Sequence, residues 1–257
     1  MNGQEAVLFV VSAYSLSNRA FDRLEAACKI AVDGTTRLIR LEGADPSLID
    51  ALDTLRLEGL RKIRVQPLGV PFPEGLLNWL PGVVADWRKR GKNADTTVSF
   101  GPDLATDPTL LAQFTAATLA HPQPAKSVEH VRPSLGKPGW NMPPDYDFHI
   151  LMCTGPRCAI HGAASFGEML KDELKHAGIF DRCLTTRTGC IFPCNKGPVL
   201  VLYPQGNWFR LPNRHATRRF VNEVLVQGGS APDLSFHIAK SALGSHPTNI
   251  IQRETLS

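Results

Sequence analysis

The chain is expected to fold as α/β throughout, in two bodies. Three features of the 257 residues carry that expectation. Short apolar runs alternate four times with amphipathic stretches between residues 6 and 120. Residues 121–147 then hold six prolines and no sustained periodicity. A second, shorter series of runs begins at residue 148. Repeated strand–helix alternation makes a parallel sheet with flanking helices. A connection as long as 121–147 is uncommon inside one compact domain.

The elements follow in order. Residues 6–11 (AVLFVV) read as a fully buried strand. Residues 17–32 place Phe21, Leu24 and Cys28 at helical spacing, and residues 36–41 are a second strand. In 45–59, Asp45 suits an N-cap, Pro46 the first turn and Gly59 the stop of a helix. A third strand covers 62–68. Residues 74–89 set Leu76, Leu77, Leu80, Val83, Val84 and Trp87 on one helical face, and a strand at 95–100 and a helix at 107–120 complete the first half. In the second half, 148–152 is a strand and 163–177 an amphipathic helix carrying Phe166, Leu170 and Leu174. Residues 183–187 form a short strand, 199–204 and 207–210 a hairpin about Gln205-Gly206, and 216–227 a last helix with Phe220, Val224 and Leu225. This order is that of a small α/β domain resembling thioredoxin. The expected organisation is a first domain over 1–120, a linker over 121–147, a second domain over 148–229 and a tail over 230–257, where Phe236 and Ile238 are the residues suited to packing back.

Composition narrows the function classes. Apolar residues are 43% and charged residues 20%, as in ordinary soluble domains. The net charge of +4 is too mild to imply nucleic acid. No run approaches the roughly 18 apolar residues of a membrane span, and the N-terminus lacks a basic leader and cleavage site. A cytoplasmic location is expected. There, paired cysteines more often hold metal or do redox chemistry than form structural disulfides.

Four of the six cysteines fall into two close pairs, Cys153/Cys158 and Cys190/Cys194. Thiolates are soft ligands that suit zinc or iron–sulfur clusters. The spacings are C-x₄-C and C-x₃-C, whereas zinc ribbons usually use C-x₂-C. Longer loops suit a wider, binuclear object. Gly155, Gly162, Gly189 and Gly197 sit beside the cysteines, where they allow backbone N–H groups to turn toward sulfur. The competing readings are a structural zinc site and independent burial; a thioredoxin-type dithiol would need C-x-x-C, which is absent. Cys28 and Cys183 are expected in the core, with Cys183 close enough in sequence to Cys190 to serve as a spare ligand. His161 lies near Cys158 but outside the ligand pattern.

The motif CTGPRC…TGCIFPCNKGPVLVLYPQGNWF resembles the thioredoxin-like 2Fe-2S ferredoxins and the matching small subunit of respiratory complex I. Gly197, Pro198, Val199, Val201, Tyr203, Pro204, Gly206 and Trp208 match that family's hairpin. The likeness covers about residues 148–228. It implies a 2Fe-2S cluster held by Cys153, Cys158, Cys190 and Cys194, one-electron transfer, and a redox partner protein.

The first half, through DPSLIDALDTLRLEG and the segment after the third strand, resembles the small sirohydrochlorin chelatases of tetrapyrrole synthesis. That family holds a divalent metal with one histidine after the first strand and another after the third. Here those positions carry Ala13 and Gly75, and no histidine precedes His121. The resemblance therefore implies a chelatase-like fold with a degenerate site. Glu74 is the nearby carboxylate, and Tyr14, Phe72 and Trp79 are candidates to line a tetrapyrrole- or partner-binding cleft or to pack as core. The expected function is an electron carrier fused to a degenerate chelatase-like domain. The alternatives are an altered chelatase or other enzyme of cobalamin or tetrapyrrole synthesis, and a zinc-stabilised interaction protein. The segment 210–220, with Arg210, Arg214, His215, Arg218 and Arg219, is either a docking face for an acidic partner or an ordinary solvated helix start.

Overall fold

The computed structural model describes residues 5–12, 16–90, 93–120, 139 and 141–239. The chain divides into two compact units, Met1–Pro143 and Pro144–Ser257.

The first unit is a four-stranded parallel sheet. Its strands are β1 (Glu5–Val11), β2 (Thr36–Arg40), β3 (Lys62–Pro67) and β4 (Thr97–Phe100), in the order β2-β1-β3-β4. Central β1 is apolar on both faces because both are covered. Phe9 and Val11 pack with Leu38 of β2 and Cys28 of α1 (Asn18–Ala31). The alternate residues Ala6, Leu8 and Val10 point the other way, and they are buried together with the apolar stripes of α2 (Leu48–Leu57) and α3 (Glu74–Lys89). Trp87 of α3 donates its indole N–H to Asp53 of α2.

One sequence expectation is corrected here, and two are sharpened. The second helix is capped by Ser47, not Asp45. Ser47 Oγ accepts the N–H of Asp50 while the Asp50 carboxylate accepts the N–H of Ser47, a reciprocal capping box. Phe72 is fully buried and belongs to the core, not to a cleft. Helix α4 (Pro108–Leu119) forms as expected but buries none of its residues.

The second unit is a five-stranded mixed sheet in the order β6-β5-β7-β8-β9. β5 (Phe148–Cys153) and β6 (Cys183–Thr188) are parallel; β7 (Val199–Tyr203) and β8 (Asn207–Arg210) follow antiparallel. Between β5 and β6 lie the single turn α5 (Pro156–Ala159) and helix α6 (Ala163–His176), whose Phe166, Leu170 and Leu174 are wholly buried against the sheet core. The last paired residues of the hairpin are Leu202 and Asn207, so its connection is Tyr203–Gly206 and not two residues. Gly206 takes φ +71° there. The final helix starts at α7 (Arg214–Arg219), capped by Asn213, and widens into a π-helical turn over Phe220–Val226. In the described part of the tail, β9 (Ser235–His237) adds to β8, and Phe236 packs edge-on against Trp208. Ile238 stays largely exposed.

Candidate metal centre

The two cysteine pairs are brought together by strand pairing. β5 and β6 are neighbours in parallel register, with Cys153 opposite Thr188. Each strand therefore ends at the same edge of the sheet, and each is followed at once by a cysteine loop. Two threonines lock these ends. Thr154 donates both its N–H and its hydroxyl to the carbonyl of Thr188, at 3.0 and 2.9 Å. Thr188 returns its hydroxyl to the carbonyl of Met152 at 2.9 Å. Residue-type patterns do not single out either threonine, because their role exists only once the strands pair.

After Thr154 the chain turns sharply. The N–H of Cys158 donates to the carbonyl of Gly155 at 2.9 Å, and Pro156 begins the turn. This carries Cys158 back beneath Cys153, and both are only 2% exposed. Cys190 is exposed and Cys194 half-buried, with their Sγ atoms 3.3 Å apart. All four line one small pocket, together with Gly155, Arg157, Ile191, Phe192 and Val199.

The backbone approaches this pocket closely at two glycines. A Cβ on Gly197 would stand 3.1 Å from Cys158 Sγ and 3.0 Å from the His161 ring. One on Gly155 would stand 3.4 Å from the Cys190 backbone. Gly162 serves differently, taking φ +84° to open α6. The Gly197 carbonyl is held by Arg210, whose Nε–H donates at 3.1 Å.

The electrostatics favour thiolate on one member of the buried pair. The Cys153 thiol is lowered to about 6, first by its hydrogen bond with Cys158 and further by the N–H groups of Ile191 and Gly155, which outweigh its burial. Cys158 moves the opposite way because it keeps the proton of that pair and because burial disfavours a second charge. The N–H of Val199 is directed at Cys158. Burial, then the neighbouring Cys190, raises Cys194. Burial also pushes Cys183 up to about 11 and raises Cys28; both are core residues, and Cys183 lies outside the pocket. Among the described residues no three His, Cys, Asp or Glu side chains converge on a single-ion position. The four thiols stand as two pairs.

The basic segment is not a free positive face. Arg214 pairs with Asp172 and Glu173, Arg218 with Glu173, and Arg219 with Glu223 and Asp233. Of the two readings of this segment, these acids, on α6, on the final helix and just after it, favour the solvated helix start.

In the first unit, Ala13 and Tyr14 lie outside the described residues. Gly75 and Glu74 are exposed in the first turn of α3, and Trp79 is half-buried. Glu74 is not the nearest carboxylate to the end of β1. Glu42, only 4% exposed just after β2, accepts the Ser12 hydroxyl at 2.5 Å. Sequence reading missed it because the two residues are thirty positions apart.

No protein-family model matches the chain. A protein described as a 2Fe-2S ferredoxin from Priestia megaterium is 29% identical over 82 residues, covering 32% of this chain and 64% of the relative. The chain thus spans less than two thirds of that relative's length. A 2Fe-2S ferredoxin of Clostridium pasteurianum is 29% identical over 69 residues, covering 24% of this chain and 68% of the relative. Among solved structures, a thioredoxin-like 2Fe-2S ferredoxin from Aquifex aeolicus is 24% identical, covering 37% of this chain and 94% of that one, with a TM-score of 0.34. A protein described as a cobalamin-biosynthesis CbiX protein from Marinobacter aquaeolei is 15% identical, covering 46% of this chain and 96% of that one, with a TM-score of 0.38. The chain is therefore similar to 2Fe-2S ferredoxins over part of its length.

Proposed function

We propose that this protein is a one-electron carrier whose second domain binds a 2Fe-2S cluster through Cys153, Cys158, Cys190 and Cys194, fused to a chelatase-like first domain without the family's histidine pair. The observation that carries the reading is that two pairs of thiols, from loops at the ends of adjacent parallel strands, line one pocket. The donor set fits the group. Four soft sulfur ligands suit iron, the N–H groups of Ile191, Gly155 and Val199 face the thiols, and Gly197 leaves room where any side chain would meet Cys158. When bound, such a cluster supplies one-electron redox chemistry. The chain's own residues hold it, shield its Cys153/Cys158 side from water and leave its Cys190/Cys194 side open.

The similarity to curated 2Fe-2S ferredoxins supports the same reading. The first domain is read as a recognition element for a partner or a tetrapyrrole. Among the described residues no helix is long and apolar enough to cross a membrane. The test is an anaerobic redox titration of the purified chain followed by electron paramagnetic resonance. A single one-electron transition at a negative potential is expected, near the about −400 mV of all-cysteine centres of the plant type. A chain that takes up no electron over that range would overturn the reading.

A further inference from the structure

Phe192 stands between Cys190 and Cys194 and breaks two rules at once. Its backbone has φ +54°, and it is the one non-glycine with positive φ among the described residues. A bulky side chain in that region costs conformational energy and persists where something compensates. Packing within its own domain does not, because the side chain is 74% exposed. A large aromatic is thus held out into solvent, under strain, at the mouth of the pocket.

The mouth is also asymmetric. Cys153 and Cys158 are sealed while Cys190 is exposed, so an electron leaves or enters most readily on the Phe192 side. The two cysteine segments carry charge of one sign. The segments 151–162 and 188–198 contain Arg157, His161 and Lys196 and no aspartate or glutamate. Arg157 lines the pocket beside Phe192, and Lys196 is exposed one turn further on.

We infer that Phe192 is the anchor of a redox docking surface, and that its partner is a protein presenting an apolar recess rimmed by carboxylates over its own one-electron centre. An exposed aromatic ringed by like charge is the usual form of a small interface: the ring supplies buried area, and the charges steer approach. The inference rests on the proposed electron-transfer role. The balanced step is one electron leaving the reduced carrier and entering the partner's centre.

The test uses oxidised flavodoxin as the probe, an acidic protein with an exposed apolar flavin edge. Its flavin gains the electron and takes a proton from solvent. Stopped-flow oxidation of the reduced full-length chain is compared for wild type, Phe192→Gly and Lys196→Glu, at low and high salt, with an uncharged small inorganic complex as control oxidant. Phe192→Gly should slow transfer to flavodoxin at least fivefold. Lys196→Glu should slow it at low salt only, as screening at about 0.15 M restricts charge effects to roughly 8 Å. Lys196→Glu should not change the rate with the uncharged small complex, and the Phe192→Gly effect is read as the flavodoxin rate relative to the rate with that complex. The metal-free Phe192→Gly chain should melt no lower than wild type, because glycine accepts the positive φ freely. Equal flavodoxin rates for Phe192→Gly and wild type, with the visible spectrum intact in both, would overturn the inference while leaving the carrier role standing. A lower melting point for Phe192→Gly would also overturn it by showing that the ring packs internally. So would concentration-dependent self-association lost in Phe192→Gly, which would assign the surface to a second copy. Loss of the spectrum in wild type itself would instead sink the carrier role.

Discussion

Gly197 is the residue at which packing and ligation meet most closely. Alanine there would push its methyl to 3.1 Å from Cys158 Sγ, with the Cys158 backbone 3.3 Å away and unable to yield cheaply. Overpacking of this kind costs about 1–3 kcal/mol. Gly197→Ala should therefore lower both the melting temperature and the iron retained per chain, read by calorimetry and metal analysis. The thiols separate in the same assay. Cys194→Ala should lose the cluster, whereas Cys28→Ala, on α1 of the other unit, should keep full iron and sulfide. If Cys194→Ala retained both at wild-type levels, the ligand assignment would fail.

Among the elements, α6 and the final helix are tied by Glu173, which is 5% exposed and accepts hydrogen bonds from Arg218 and Arg214. Those hydrogen bonds, Arg218 first, hold its carboxyl below the ordinary value. A folded value below the unfolded one of about 4.3 gives stability that is present above that pH and lost as pH falls through the folded value. Glu173→Gln should lower the urea midpoint at pH 7. The gap to wild type should narrow as pH falls below about 4.3. A gap independent of pH would contradict the pairing. Strands and helices were legible here because their signal is periodic and local. The cysteine loops were legible for the same reason, since each pair sits within six residues. What was not legible needs the strands paired first. Thr154 and Thr188 clamp the loop ends across the β5–β6 register, and the arginines of 214–219 meet acids of α6 some forty positions earlier. Three-residue β9 is too short for any periodicity, and the four-residue hairpin turn follows from register alone.

For the whole molecule, the first domain sets a limit on what the fusion can catalyse. The position after β3 that holds a chelatase histidine carries exposed Gly75, and buried Glu42 is already engaged by Ser12. One carboxylate without imidazole is a poor collector of both a divalent metal and pyrrole protons. Purified protein should insert cobalt or iron into sirohydrochlorin no faster than the spontaneous rate, followed by absorbance; saturable turnover would return the altered-chelatase alternative.

The central claim is that the second domain is built around iron and sulfide, not a lone zinc ion. The most direct measurement is metal and acid-labile sulfide analysis of anaerobically purified full-length chain, taken with its visible spectrum. The account predicts iron and sulfide in equal amounts, two of each per chain as a 2Fe-2S cluster requires, in a brown solution. Stoichiometric zinc without sulfide, in a colourless one, would contradict it.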